Sequence, residues 1–88
     1  MKYRVVWENE CFQQLDIMLS AGASSIELKL AVEALSDELA VVPQRKGSPL
    51  SEGLFRIEIP PLRAYFHVDH SAGLVKVDTL WWIGDATS

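Results

Sequence analysis

The chain is short of cysteine, of positive charge and of long apolar runs, and each shortage removes a class of answer. One cysteine, Cys11, excludes an intrachain disulfide and a metal site built from several thiolates. Eight lysines and arginines stand against twelve acids, a net charge of −4, which speaks against a globally basic nucleic-acid binder. No run approaches the roughly 20 apolar residues that a membrane span needs. The opening MKYRVVWENE has no apolar stretch of signal-peptide length. A cytoplasmic protein that does not enter a membrane is the expectation. Four prolines stand at 43, 49, 60 and 61. They mark a loop over Pro43–Pro49 and a tight connection at Pro60-Pro61.

What is present is alternation. Side chains two apart on a strand share a face. Over Gly53–Ile59, Phe55, Ile57 and Ile59 oppose Leu54, Arg56 and Glu58. Over Leu62–Asp69, Leu62, Ala64, Phe66 and Val68 oppose Arg63, Tyr65, His67 and Asp69. Over Leu74–Trp82, Val75, Val77, Thr79 and Trp81 oppose Leu74, Lys76, Asp78, Leu80 and Trp82. A further strand fits Lys2–Trp7, with Tyr3, Val5 and Trp7 inward. Strict alternation therefore predicts that Trp81 closes the core. It leaves Trp82 on the outer face, as a rim residue or part of a partner-binding patch.

Between the first strand and the others the period changes to that of helices. Glu8–Ser20 carries an apolar stripe of Phe12, Leu15, Met18 and Leu19. Ala21-Gly22-Ala23 stops it, with Gly22 free to turn left-handed. Ser24 and Glu27 fit an S-x-x-E capping box for a second helix reaching about Ala40. Its stripe is Leu28, Ala31, Val32, Leu35 and Leu39, with Glu27, Glu33, Asp37 and Glu38 on the solvated side. The 88 residues thus make one α+β domain. A helical hairpin packs on a four-stranded, antiparallel-rich sheet in the order β-α-α-β-β-β.

This assignment redistributes the charge. The outer face takes Lys2, Arg4, Arg56, Arg63 and Lys76 with Glu58, Asp69 and Asp78, a surplus of two positive charges. The helices and loops hold the remaining three bases against nine acids. Local potential governs close approach, so a positive face on a negative body can orient a polyanion. The plainer reading of Arg56 and Arg63 is a pair of solvated strand residues bridged to Glu58 and Asp78. His67, Asp69 and His70 form H-x-D-H, but strand neighbours face opposite ways, so no metal site is expected. Cys11 reads as a buried or half-buried small residue.

Several local sequences then point in one direction. They are Tyr3-Arg-Val-Val-Trp7, a helix ending at Val42-Pro43, Gly47-x-x-Leu50, Gly53-Leu-x-Arg56, Leu62-Arg63-x-Tyr65 and Val68-Asp69. In this order, over Tyr3 to Ile83, the chain resembles the RelE/ParE superfamily of toxins from toxin–antitoxin modules. The resemblance implies a cytosolic toxin neutralised by a cognate antitoxin. RelE-like members cut messenger RNA on the ribosome, without a metal or other cofactor, and ParE-like members block DNA gyrase.

Carried onto this chain, the resemblance makes Arg56 and Arg63 the phosphate stabilisers, since guanidinium forks match phosphate oxygens. His67 takes the role of acid or base. Tyr65 stacks on a base or orients a phosphate, and Arg45 and Lys46 hold the RNA backbone. The chain departs from the cleaving members at its end. Residues 79–88 contain no Arg, His, Lys or Tyr. That departure favours a gyrase-directed member, or a non-catalytic binding module on the same fold.

Overall fold

The computed structural model describes residues 2–41, 48–51 and 53–84. Strand β1 (Arg4–Trp7) leads into helix α1 (Asn9–Ser20) and helix α2 (Ser25–Ala40). Strands β2 (Ser48–Ser51), β3 (Leu54–Ile59), β4 (Leu62–Asp69) and β5 (Leu74–Trp82) follow. They form one sheet in the order β1-β5-β4-β3-β2. β1 runs parallel to β5 and the other neighbours are antiparallel. The expected β-α-α-β-β-β order is present, with β2 as an added fifth strand.

β2 lies partly in what the sequence reads as a loop. Its four residues, Ser48-Pro-Leu-Ser51, have no alternation to betray a strand. They pair only with β3, at the edge of the sheet, where a proline costs no internal ladder bond.

The helices form because their local signals agree with their apolar stripes. The Ser24 hydroxyl accepts from the Glu27 backbone N–H at 3.3 Å, half of the expected capping box. Gly22, at φ 100°, makes the left-handed turn between the helices. α2 buries Leu28, Ala31, Leu35 and Leu39, as its stripe requires. α1 is rotated from expectation. It buries Cys11 and Met18, with Leu15 packed alongside, while Phe12 and Leu19 face solvent. Positions 11, 15 and 18 keep helical spacing as well as 12, 15 and 19 do. Cys11 fits because it is small enough to bring α1 close to β5, where its Sγ donates to the Val77 carbonyl at 3.3 Å.

The core lies between this helix pair and one face of the sheet. It joins those residues to Ile57, Leu62, Ala64, Phe66, Val75, Val77 and Leu80. Phe66, Leu35, Leu39 and Leu62 are fully buried. Each is worth roughly 1.5–3 kcal/mol for apolar surface removed from water. No described helix is long and apolar enough to cross a membrane.

The last strand departs from strict alternation. Tyr65 pairs with Thr79 while the next residue of β4, Phe66, pairs with Val77. Asp78 is therefore a bulge residue with nothing opposite it. Beyond it the faces exchange. Leu80 is buried at 1 % exposure, and Trp81, expected in the core, is 57 % exposed. Trp82, expected outside, lies opposite the buried Leu62 on the helix side of the sheet.

Candidate functional site

The outer sheet face is a grid fixed by strand register. Arg56 on β3, Tyr65 on β4 and Thr79 on β5 stand in one row. Glu58, Arg63 and Trp81 form the next. Leu54, His67 and Lys76 form a third, with Asp78 beside them. Opposed residues in such a ladder lie about 4.5–5.5 Å apart at Cβ, so three strands hold these groups within reach of one small ligand.

The cations of this face are not equivalent. Arg63 gives both Nε and Nη2 to Glu58 Oε2, at 2.7 and 2.6 Å. That bond raises the Arg63 pKa above its ordinary value, with the Tyr65 hydroxyl as second contributor. Lys76 Nζ turns to Glu8 Oε1 at 3.2 Å. Arg56 forms no ion pair among the described residues. The expectation that Arg56 and Arg63 are bridged to Glu58 and Asp78 thus holds for Arg63 and Glu58 alone.

Asp78 has another partner. His67 Nδ1 lies 2.5 Å from Asp78 Oδ2, and the imidazole is about half exposed. Tyr65 meets the exposed Trp81 edge to face, with ring centroids 6.4 Å apart. Asp69, one residue before the β4–β5 turn, accepts from the Ser71 hydroxyl at 2.7 Å and the Ala72 N–H at 3.1 Å. The hydroxyl bond first, then the amide bond, holds its carboxyl below the usual range. No group of three metal-ligating side chains occurs among the described residues.

A second feature adjoins this face. The pairing of β1 with β5 ends at Trp7 and Val77, and the chain then turns into α1. Beyond that point β5 has no neighbour on this side among the described residues. A groove of about 700 Å³ opens there between α1 and the strand edge. Ile17, Met18, Ala23, Trp81 and Trp82 give it an apolar wall, and Glu10 and Glu27 make its rim acidic.

Solved structures share this architecture along nearly the whole chain. The RelBE2 toxin–antitoxin complex of Mycobacterium tuberculosis matches with a TM-score of 0.80 at 20% identity, covering 97% of this chain and 95% of that one. The RelE–RelB complex of Pyrococcus horikoshii matches at 0.67 and 18%, covering 98% and 100%. The DinJ–YafQ complex of Escherichia coli matches at 0.62 and 10%, covering 93% of each chain. No protein-family model and no curated protein sequence matches.

The chain has the RelE-like toxin fold. This is the fold that the sequence resemblance implied, recovered here from backbone geometry at low identity.

On this RelE-like frame the structure brings Arg56, Arg63, Tyr65 and His67 together on the outer face of two adjacent strands, β3 and β4. Arg45 and Lys46 lie outside the described residues. Trp82 belongs to the groove beside α1 rather than to the outer face. Sequence reasoning missed Trp81 as a surface aromatic and Asp78 as the partner of His67. The run Asp78-Thr-Leu-Trp-Trp82 offers two possible phases, and only the bulge selects between them.

Proposed function

We propose that this RelE-like chain is the toxin component of a toxin–antitoxin pair, and that its outer sheet face cleaves RNA at a phosphodiester. The observation that carries the reading is Arg56, an arginine without a carboxylate partner among the described residues, two strand positions from the row of an exposed histidine. Such a pair supplies what metal-independent cleavage requires. His67 Nε2 takes the proton of a 2′-hydroxyl. The 2′-oxygen bonds to the adjacent phosphorus and the bond from phosphorus to the 5′-oxygen breaks. The leaving oxygen takes a proton from water, giving a 2′,3′-cyclic phosphate and a 5′-hydroxyl. Arg56 holds the negative charge that gathers on the non-bridging oxygens. Tyr65 and Trp81 offer faces on which unpaired bases stack.

The partner half of the reading rests on the company the fold keeps. All three structures above are toxin–antitoxin complexes. A cognate antitoxin is the expected partner here, acting in the cytoplasm against a chain whose target is messenger RNA on the ribosome. The groove holding Trp82 is the candidate surface for protein contact.

A second reading, a gyrase inhibitor or a non-catalytic binding module, is favoured by two features. Glu58 already occupies Arg63, and residues 79–88 supply no basic side chain or tyrosine.

Adding the purified protein to a cell-free translation reaction separates these readings. Messenger cut only while it is being translated is the expected result. Intact messenger with normal protein output overturns the nuclease reading. Intact messenger with a partner that raises the melting temperature leaves the binding module standing.

A further inference from the structure

The geometry points to Asp78 as a positioning residue that fixes His67 in one tautomer, with hydrogen on Nδ1 and Nε2 bare as the proton acceptor. A carboxylate can only accept a hydrogen bond, so the contact between Asp78 Oδ2 and His67 Nδ1 places the hydrogen on nitrogen. The opposite ring atom, Nε2, is then left with its lone pair. This is the arrangement a general base needs, since the bond made by one ring nitrogen decides the state of the other. The identity of the proton donor, a ribose 2′-hydroxyl, rests on the nuclease reading of this face; the tautomer does not.

The surroundings explain why Asp78 takes this partner and no other. Across the ladder His67 faces Leu54 on β3 and Lys76 on β5. Leu54 offers no polar group. Lys76, the cation next along β5, is drawn to Glu8. Asp69, the other carboxylate near His67 on β4, is engaged by Ser71 and Ala72. Arg63 is engaged by Glu58. The remaining carboxylate on the face is Asp78, and it is the bulge residue. With no residue opposite it, its side chain reaches diagonally to His67, a span over which ladder neighbours normally lie about 7–8 Å apart. Gly53 lies beside the ring: a Cβ built there would stand 3.8 Å from His67 Cδ2, in ordinary contact, so the missing side chain leaves the Nε2 edge less crowded.

The bulge thus has two effects on one strand. It turns Trp81 outward, and it frees Asp78 to orient the histidine. A carboxylate that holds an imidazole in this way does not touch the substrate and acts only through the ring. Its effect must therefore vanish when the ring is removed.

Nitrogen-15 NMR of the full chain, with labelled histidine and at alkaline pH, reads the tautomer directly and needs no RNA. His67 should show a protonated Nδ1 and a bare Nε2. In D78A the ring should revert to a mixture dominated by hydrogen on Nε2, and D78N, whose amide oxygen still accepts, should keep part of the native state. Wild-type protein with hydrogen on Nε2, or a D78A spectrum like that of wild type, overturns the inference. The cleavage assay adds a second reading. D78A should lose about tenfold or more in rate, a part of the roughly 10²–10⁴-fold that a positioned acid or base contributes in full. In an H67Q background D78A should cost nothing more. An equal further loss there would show that Asp78 acts on its own. Absence of cleavage by the wild type would sink the nuclease reading, and the ring spectrum would still decide the tautomer.

Discussion

Trp81 stands opposite Arg63 on the open face of the sheet, while its neighbour Leu80 lies in the core opposite Ala64. A chain read by strict alternation has these two roles exchanged. The exchange follows from one extra residue, and it can be tested by stability alone.

Leu80→Ala should cost about 2–5 kcal/mol, the range for removing a buried leucine and leaving a cavity. Trp81→Ala should cost within about 1 kcal/mol, since an exposed side chain away from the core contributes little. Urea denaturation of both variants measures the difference. A Trp81→Ala loss that exceeds the Leu80→Ala loss would mean that β5 has no bulge.

The two arginines should separate in the same way on function. Arg56→Ala should abolish growth arrest on expression and leave the melting temperature nearly unchanged. Arg63→Ala should weaken the arrest less, because Glu58 already occupies the guanidinium. The pair is solvent-exposed and contributes little to stability. A variant pair with the opposite ranking would make Arg63 the phosphate ligand. It would imply that Glu58 yields when substrate arrives.

Cys11 gives the fold a pH dependence of known sign. Burial pushes its thiol up to about 11 from an ordinary 9.0. Below pH 9 both folded and unfolded chains hold the proton and the thiol contributes its full stability. Between pH 9 and 11 the unfolded chain loses the proton first, so stability falls as pH rises. The loss approaches about 3 kcal/mol, at roughly 1.4 kcal/mol per pKa unit. Melting curves of wild type and Cys11→Ala over this window should diverge in slope, with the variant flatter. Parallel slopes would place the thiol in contact with water.

Much of the fold is legible in the sequence because local and tertiary demands agree. The Ser24 cap, the Gly22 turn and the α2 stripe each serve the element and its packing at once. The strand pattern of β4 gives the placement of Arg63, Tyr65 and His67 directly, since Leu62, Ala64 and Phe66 are all buried. The failures have a common character. Cys11 against Phe12 on α1, and Leu80 against Trp81 on β5, are choices between two phases of equal periodicity. In each case the phase is set by a contact with another element. Cys11 lies against the Val77 carbonyl, and the β5 bulge is defined only by register with β4. β2 is hidden for another reason, since Ser48-Pro-Leu-Ser51 has no alternation in its sequence and shows as a strand only through its backbone pairing with β3.

The parallel pairing of β1 with β5 carries a consequence for synthesis. Arg4 lies beside Leu74, so the first strand leaves the ribosome about seventy residues before β5, its ladder neighbour among the described residues, exists. Helix α1 packs on β5 as well, so its docking, like the closing of the sheet, depends on contacts distant in sequence. His67 acquires Asp78 only with β5 in place. A ribosome making this protein therefore carries a nascent chain whose outer sheet face is still unbuilt, and His67 meets the Asp78 carboxylate only after most of the sheet has been translated.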